Sequence, residues 1–297
     1  MTPRELLKLL SAEMAAAGVP DAEVDAQLLL SHVTGQNPLN LRLDGWSQVS
    51  LADETAFRAL CEKRKTRTPL QYLTGVQSFL GRDFYVDERV LIPRPETELL
   101  AERAIALLKA SPCPPVSLDL CCGSGAIGLA IASRVKDAKV TLADLSQDAL
   151  SVARDNVALN KMTARVRCVS ADALKPAFPF LGKFDMIVSN PPYITGEDMK
   201  TLPASVKDYE PHMALYGGED GLDFYRSIAK NYAPALKPGG YLAFEFGEEQ
   251  GDDVCRILEE NGYTILERTR DYNDRERAVL AQYGRKEENY GDEKDCV

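Results

Sequence analysis

Histidine is nearly missing from this sequence: two residues, His32 and His212, occur in 297. The seven cysteines are odd in number and scattered, and no pair has CxxC spacing. Neither a zinc centre nor a disulfide framework is expected from such a set, and the thiols fit a reducing, cytoplasmic setting. Long apolar runs are missing too, so no membrane span is expected. The opening MTPRELLKLL is amphipathic and is not built like a signal peptide. Positive charge is in deficit, with 35 basic against 45 acidic side chains, a net charge of −10 and a pI near 4.9. A tight grip on a phosphate backbone needs a basic face, so no stable nucleic-acid partner is expected. What is present is ordinary for a soluble chain, and 297 residues suffice for two domains.

Residues 1–75 read as a small all-α domain. Thr2-Pro3-Arg4-Glu5 is a capping box with proline at the first helical position, and Leu6, Leu7, Leu10 and Met14 follow at helical spacing. Gly18-Val19-Pro20 stops that helix, Asp21 caps a second carrying Val24, Leu28 and Leu29, and Ser50 with Asp53 opens another through Phe57 and Leu60. The leucines read as core. Lys63, Arg64, Lys65 and Arg67 read as solvated cations near a helix C-terminus. PLQYLTG, from Pro69 to Gly75, has the chemistry of a linker. Residues 76–93, with Phe79, Phe84, Val86, Val90 and Leu91, suggest a linking β-hairpin.

Residues 94–284 read as a second domain, and from Val116 its grammar changes to alternating strands and helices. Ile92-Pro93-Arg94-Pro95-Glu96 fixes an extended entry to a helix, and Arg94 and Glu96, set against two rigid prolines, are candidates to line a site. Strands are then expected over 116–120, 139–143, 166–169, 184–188, 241–246, 263–267 and 277–282, with helices between most of them and a turn at Pro238-Gly239-Gly240. This alternation predicts an α/β fold with a largely parallel, doubly wound sheet. Residues 285–297 are polar and acidic and are expected to be disordered.

SNPPYI follows the apolar run Phe184 to Val188, so Asn190 falls where a strand ends, the usual place for a site in such a sheet. Asn190 offers a side-chain carbonyl, and Pro191 a main-chain carbonyl with no N–H beside it. Two adjacent acceptors suit the two hydrogens of an –NH2 group, and Tyr193 adds a flat apolar face. On the tetrapeptide alone, this grip and a rigid turn after a strand are both open readings.

Gly123, Gly125 and Gly128 satisfy G-x-G-x-x-G after the first strand of the sheet, and Asp144 ends the next strand. Glycines admit close backbone approach, and the acid can accept from ribose hydroxyls, so a nucleotide-like cofactor is expected. Two further acids favour S-adenosylmethionine over a dinucleotide. Asp119 precedes the loop and suits a cationic methionyl group, and Asp172, after a third strand, suits an adenine amino group. No His or Lys stands out as the acid of a hydride-transfer site.

With these motifs in hand, the sequence resembles Rossmann-like class I methyltransferases of the NPPY type. More closely it resembles the protein-(glutamine-N5) methyltransferases that modify peptide chain release factors, the PrmC/HemK family. PLQYLTG, VLIPRPETELL, DLCCGSGAIGLAIA, FDMIVSNPPYI, YEPHMALYGGEDGLDFYR and LKPGGYLAFEFG carry the resemblance over nearly the whole chain. It implies a cytoplasmic, monomeric enzyme that uses S-adenosylmethionine to methylate the glutamine of the Gly-Gly-Gln loop of class 1 release factors. The helical domain would recognise that substrate. The cofactor loop falls on Cys121, Cys122, Gly123, Ser124 and Gly125, the ribose acid on Asp144, the adenine neighbourhood on Asp172 and Ala173, and the amide grip on Asn190, Pro191, Pro192 and Tyr193.

The family usually has Gly and Thr where this chain has Cys121 and Cys122, and an aromatic where it has Ala173. A cysteine fits there if φ stays negative and is strained if the position is left-handed. Both changes bear on cofactor affinity more than on the reaction. In the mechanism that follows, the Asn190 and Pro191 carbonyls accept the two amide N–H bonds and stabilise positive charge developing on nitrogen, with no strong base required. Glu210, Pro211 and His212 are candidates for shaping the pocket, His212 reading more simply as a structural residue. Glu245 ends a strand near the cofactor, with a structural and a site role both open. Two other readings are an adenine-N6 or cytosine-N4 nucleic-acid methyltransferase, which the acidic balance disfavours, and a binding protein without catalysis, which intact Asp144, Asn190 and Tyr193 disfavour.

Overall fold

The computed structural model describes residues 1–284; the acidic stretch 285–297, expected to be disordered, lies outside the described residues. The chain divides into two compact units: residues 1–76 with 203–209, and residues 77–202 with 210 onward.

The first unit is helical, with α1 (Pro3–Ala16), α2 (Ala22–Thr34), α3 (Pro38–Leu43), α4 (Leu51–Lys65) and α5 (Leu70–Thr74). The Thr2 hydroxyl accepts from the Glu5 N–H at 3.3 Å and the Glu5 carboxylate accepts from the Thr2 N–H at 2.9 Å, so the capping box forms at both ends. Leu6, Leu10, Met14, Leu29, Leu30 and Phe57 make the core.

Four expectations change here. Asp21 makes no side-chain cap. Val24 and Leu28 are exposed, because α2 buries Ala22, Asp25, Ala26, Leu29 and Leu30 instead. The basic run is mostly not solvated: Arg64 donates to the buried Asp25 carboxylate at 2.7 Å, Lys65 pairs with Glu13 at 2.9 Å, and Arg67 donates to the Gly18 carbonyl. A carboxylate turned inward, as Asp25 is on the buried face of α2, is costly unless paired, and Arg64 supplies the partner. PLQYLTG is a helical turn closed by left-handed Gly75, not an irregular linker.

The second unit begins with a hairpin, β1 (Val76–Phe79) and β2 (Arg82–Tyr85), followed by α6 (Pro95–Lys109) and then β3 (Val116–Leu120), α7 (Ala126–Arg134), β4 (Lys139–Asp144), α8 (Gln147–Leu159), β5 (Val166–Ser170) and β6 (Phe184–Ser189). Two short helices follow, α9 (Asp198–Thr201) and α10 (Ala204–Lys207), the latter grouped with the helical unit. Then come α11 (Asp223–Asn231), β7 (Leu236–Glu245), α12 (Gly251–Glu260), β8 (Tyr263–Arg270) and β9 (Glu276–Tyr283). Pro238-Gly239-Gly240, expected as a turn before the strand, lies inside β7 as an irregularity in its pairing with β6.

The seven strands run in the order β5-β4-β3-β6-β7-β9-β8, with β9 antiparallel to both neighbours and the rest of the β5-to-β7 block parallel. Helices α6, α7 and α8 cover one face and α11 and α12 the other, giving two apolar cores separated by the sheet. Phe79 and Phe84 of the hairpin meet edge to face, with ring centroids 6.2 Å apart, inside the first of these cores.

Register sets the site. Leu120, Ala143, Ser189 and Phe244 lie level across β3, β4, β6 and β7. The next residue on each strand is therefore Cys121, Asp144, Asn190 and Glu245, which form one rim at the carboxyl ends. The chain leaves β3 towards β4 on one side and later pairs β6 on the other, so this rim straddles the crevice where strand order reverses.

If Arg64 neutralises a buried carboxylate, Arg64→Ala should destabilise the helical unit by about 3 kcal/mol in urea unfolding of the full chain. Exposed Lys63→Ala should change it by less than about 0.5 kcal/mol.

Candidate active site

A cavity of about 320 Å³ opens above the rim. Cys121, Gly123, Asp144, Asp172, Ala173, Asn190 and Pro192, seven of the residues singled out in the sequence, line it. Both oxygens of Asp144 accept main-chain N–H groups, Oδ2 from Gly123 at 2.9 Å and Oδ1 from Ser146 at 2.9 Å. These bonds fix the carboxylate at the cavity wall and tie the glycine turn to the end of β4. At Gly123 a Cβ would meet nothing within 4 Å, so the turn presents bare backbone to open space.

The glycine turn has two distinct demands. Cys121 is left-handed, at φ 60, so the strained option applies to it, while Cys122 keeps negative φ. A side chain in that region costs on the order of 1 kcal/mol, which a glycine would not. Gly128 sits where a Cβ would come within 2.3 Å of Leu142 and 3.0 Å of Asp119, so helix α7 can approach the sheet only without one. Burial holds the thiols of Cys121 and Cys122 well above the usual range, which favours the protonated form of both.

Asp119 does not line the cavity. It is buried beneath the loop, its Oδ2 accepting from the Gly128 N–H at 2.7 Å and its Oδ1 left without a partner. Burial pushes its carboxyl up to about 8. Cys122, Ser124 and Gly125 face inward as well. The Ser124 carbonyl accepts from Asn156 Nδ2 at 3.0 Å, and the same Asn156 exchanges bonds with both main-chain groups of Tyr85, at 2.6 and 3.0 Å. Asn156 therefore clamps the hairpin to the glycine turn. It lies mid-helix, and only its complete burial distinguishes it from a surface asparagine.

On the other side of the crevice, Asn190 Nδ2 donates to Glu245 Oε1 at 2.9 Å and to Thr97 Oγ1 at 3.3 Å. Both amide hydrogens are thus engaged, and the free pole of the side chain is the Oδ1 acceptor. Glu245 is buried with Oε2 unpartnered, and burial raises its carboxyl to about 7. Thr97 lies in the first turn of α6, in the ETE of the IPRPETE stretch.

Tyr193 follows, its carbonyl accepting from Gln250 Nε2 at 3.0 Å, and its phenol is raised by burial and neutral. The strand end is braced by residues 215–217: Ile194 donates to the Leu215 carbonyl and Gly217 to the Ile194 carbonyl, both at 2.9 Å. A Cβ at Gly217 would lie 2.6 Å from Tyr193 Cα and 2.7 Å from the Pro192 oxygen, so that contact demands glycine.

The remaining candidates are placed differently. Arg94 is paired with Glu210, a buried acid whose Oε2 has no partner. Glu96 is exposed. Asp172 caps its own turn, accepting from the Leu174 N–H at 2.9 Å, and reaches Lys175 at 3.2 Å. Pro211 lines the cavity, whereas His212 is exposed and lies against Tyr216, with ring centroids 5.7 Å apart. Met213 and Phe224 also line the cavity, both from the YEPHMALYGGEDGLDFYR block, where nothing singles either out as a site residue. Phe224 brings the only aromatic ring to the described lining of this cavity, and it arrives from the far side of the sheet on α11, where no local pattern marks it.

The strand order, the glycine turn and the level rim of Cys121, Asp144, Asn190 and Glu245 are those of a methyltransferase domain. The family model described as Methyltransferase small domain matches residues 102–206, and PrmC N-terminal domain matches residues 5–75. The release factor glutamine methyltransferase of Chlorobaculum tepidum is 41% identical over 286 residues, covering 94% of this chain and 97% of its own. That of Clostridium acetobutylicum is 39% identical over 260 residues, covering 88% and 91%. A methyltransferase structure from Pyrococcus furiosus, 19% identical, superposes with a TM-score of 0.54 over 75% of this chain and 99% of its own, and shares the fold. The chain belongs to the release factor glutamine methyltransferase family.

Burial of Asp119 gives a stability test. Its folded value of about 8 lies above the ordinary 3.8, so the folded chain holds a proton that the unfolded chain releases. That contribution is complete below about pH 4 and is lost as pH rises towards 8. Asp119→Asn, which cannot ionise, should flatten part of the fall in Tm between pH 5 and 8 and melt higher than the parent at pH 8. Each kcal/mol recovered should appear as roughly 2–4 °C.

Proposed function

We propose that the protein transfers a methyl group to the side-chain amide nitrogen of the glutamine in the Gly-Gly-Gln loop of class 1 peptide chain release factors. The observation that carries this reading is the Asn190 amide, with both hydrogens engaged and its oxygen turned out. A primary amide presents two N–H donors. Asn190 Oδ1 and the Pro191 carbonyl accept one each and fix the direction of the nitrogen.

A glutamine nitrogen is a weak nucleophile because its lone pair is delocalised into the carbonyl. As it reacts it gains positive charge, and two fixed acceptors bind that charge more strongly than the neutral ground state. Holding the nitrogen in place supplies much of the remaining acceleration. Tyr193 packs beside the amide plane. No general base is needed, since the methylated nitrogen becomes acidic and loses its proton afterwards.

The donor we assign is S-adenosylmethionine, which when bound supplies an electrophilic methyl on a sulfonium. The cavity fits it. Asp144 stands where ribose hydroxyls would donate, Gly123 offers open backbone, and the turn from Cys121 to Gly125 bounds the site. Asp119, buried beneath the loop, does not reach the cavity, and we assign the adenine to the side of Asp172 and Ala173. Phe224 replaces the aromatic wall that Ala173 does not provide. The helical unit, with Trp46 92% exposed, would hold the body of the release factor. We place the reaction in the cytoplasm, with the enzyme acting as a monomer. Among the described residues no helix is long and apolar enough to cross a membrane.

Incubation of the full chain with S-adenosylmethionine and unmodified release factor, followed by tandem mass spectrometry, should show a single added methyl on the Gly-Gly-Gln glutamine. A methylated adenine or cytosine in added nucleic acid, with the release factor unmodified, would favour the nucleic-acid reading. Asn190→Ala should lower kcat by about 10²- to 10³-fold, as for loss of one preorganised hydrogen-bonding group. Its cofactor Kd should stay within about threefold, roughly 0.7 kcal/mol. Phe224→Ala should do the reverse, weakening cofactor binding by about tenfold, near the 1–1.5 kcal/mol of a lost stacking contact, with kcat at saturation little changed.

A further inference from the structure

We propose that Glu245 is a positioning residue that sets which end of the Asn190 amide faces the substrate, and that methyl transfer is switched on by its ionised form. This rests on the reading of Asn190 as the acceptor for the substrate amide. An asparagine side chain is nearly symmetric in shape, so packing alone does not decide which way its O and NH2 point. Its neighbours decide. Glu245 Oε1 accepts from Asn190 Nδ2 at 2.9 Å, and Thr97 Oγ1 accepts from it at 3.3 Å. A carboxylate can only accept, so while Glu245 is charged the NH2 end is held inward and Oδ1 is presented.

Protonation removes that constraint. A carboxylic O–H facing Asn190 prefers an oxygen, and the amide can then turn end for end. The NH2 would point at the substrate's own NH2, donor against donor, and the grip would be lost. Ionised Glu245 also places negative charge one hydrogen bond behind the acceptor that meets the developing positive nitrogen, which strengthens that acceptor in a buried site.

Several groups facing Glu245 bear on its charge. Glu96 on α6 opposes ionisation, Arg277 on β9 favours it, and Asn190 and Thr97 favour it by hydrogen bonding. The neutral Tyr193 phenol lies near, and the Tyr225 hydroxyl donates to the Glu245 main-chain carbonyl at 2.9 Å. Burial outweighs these favourable partners and lifts the carboxyl to about 7. The inactive form is therefore accessible just below neutral pH.

The test is the pH dependence of kcat on unmodified release factor for four full-length proteins: wild type, Glu245→Gln, Asn190→Ala and the double variant. Wild-type turnover should rise as pH passes through about 7 and then level off. Glu245→Gln, the same shape with no charge to lose, should have lower kcat, by about tenfold for the lost charge-assisted bond, and no acid limb near 7. Its cofactor affinity should match the parent's, which also shows that it is folded. In the Asn190→Ala background the second change should add nothing, because the two act as one unit.

If Glu245→Gln keeps both wild-type kcat and the acid limb while Asn190→Ala is crippled, Glu245 is only packing; the limb then points to another group, such as Asp119. A fully active Asn190→Ala would instead remove the amide grip, and this inference with it.

Discussion

The site depends on one small hydrogen-bonded unit, the Asn190 amide held between Thr97 and Glu245. It joins the end of β6, the first turn of α6 and the end of β7, three segments far apart in sequence. Because Ser189 and Phe244 are level in the sheet, their successors meet without strain in either strand. The geometry costs a buried carboxylate with one oxygen unpaired, which a purely structural contact would not require. Such local conflicts concentrate at functional sites, where stability is given up for a fixed polar arrangement.

The same principle governs the other half of the crevice. Asp144 spends both oxygens on main-chain N–H groups, so its place on the cavity wall is set before any ligand arrives. Asn156 holds the glycine turn to the hairpin, and the Ile194–Gly217 exchange holds the turn after β6. A site braced from several sides loses little on binding and spends little on reorganisation during reaction. Cys121 is the exception, a left-handed side chain where glycine would be relaxed, and it faces the cavity. That strain falls on the cofactor side of the crevice and leaves the amide grip untouched.

Much of this was legible in the sequence. The strand-helix alternation, the glycine turn, Asp144 after β4 and NPPY after β6 are local signals, and each strand expected from residue 116 onward is found within a few residues of its place. What failed to show was long-range. Nothing near Thr97 or Glu245 announces that they share a partner 93 and 55 residues away. Phe224 belongs to a helix whose apolar face reads simply as core, and Asn156 looks like any polar helix residue. Val24 and Leu28 lie off the face of α2 that buries Ala22, Asp25, Ala26, Leu29 and Leu30, and the Arg64 that pairs with Asp25 on that face is 39 residues away, where periodicity cannot see it. Pro238-Gly239-Gly240 reads as a turn because the residue types match one, yet β7 absorbs it as an irregularity once β6 and β9 pair on both sides.

The claim that the rest leans on is the polarity of the Asn190 side chain. A crystal structure of the full chain with S-adenosylhomocysteine and a Gly-Gly-Gln peptide, grown above pH 8, tests it directly. The account predicts the glutamine nitrogen within about 3 Å of both Asn190 Oδ1 and the Pro191 carbonyl oxygen, with Asn190 Nδ2 still on Glu245. A glutamine whose nitrogen points away from Asn190, or an Asn190 that meets the peptide through its NH2 group, would contradict it.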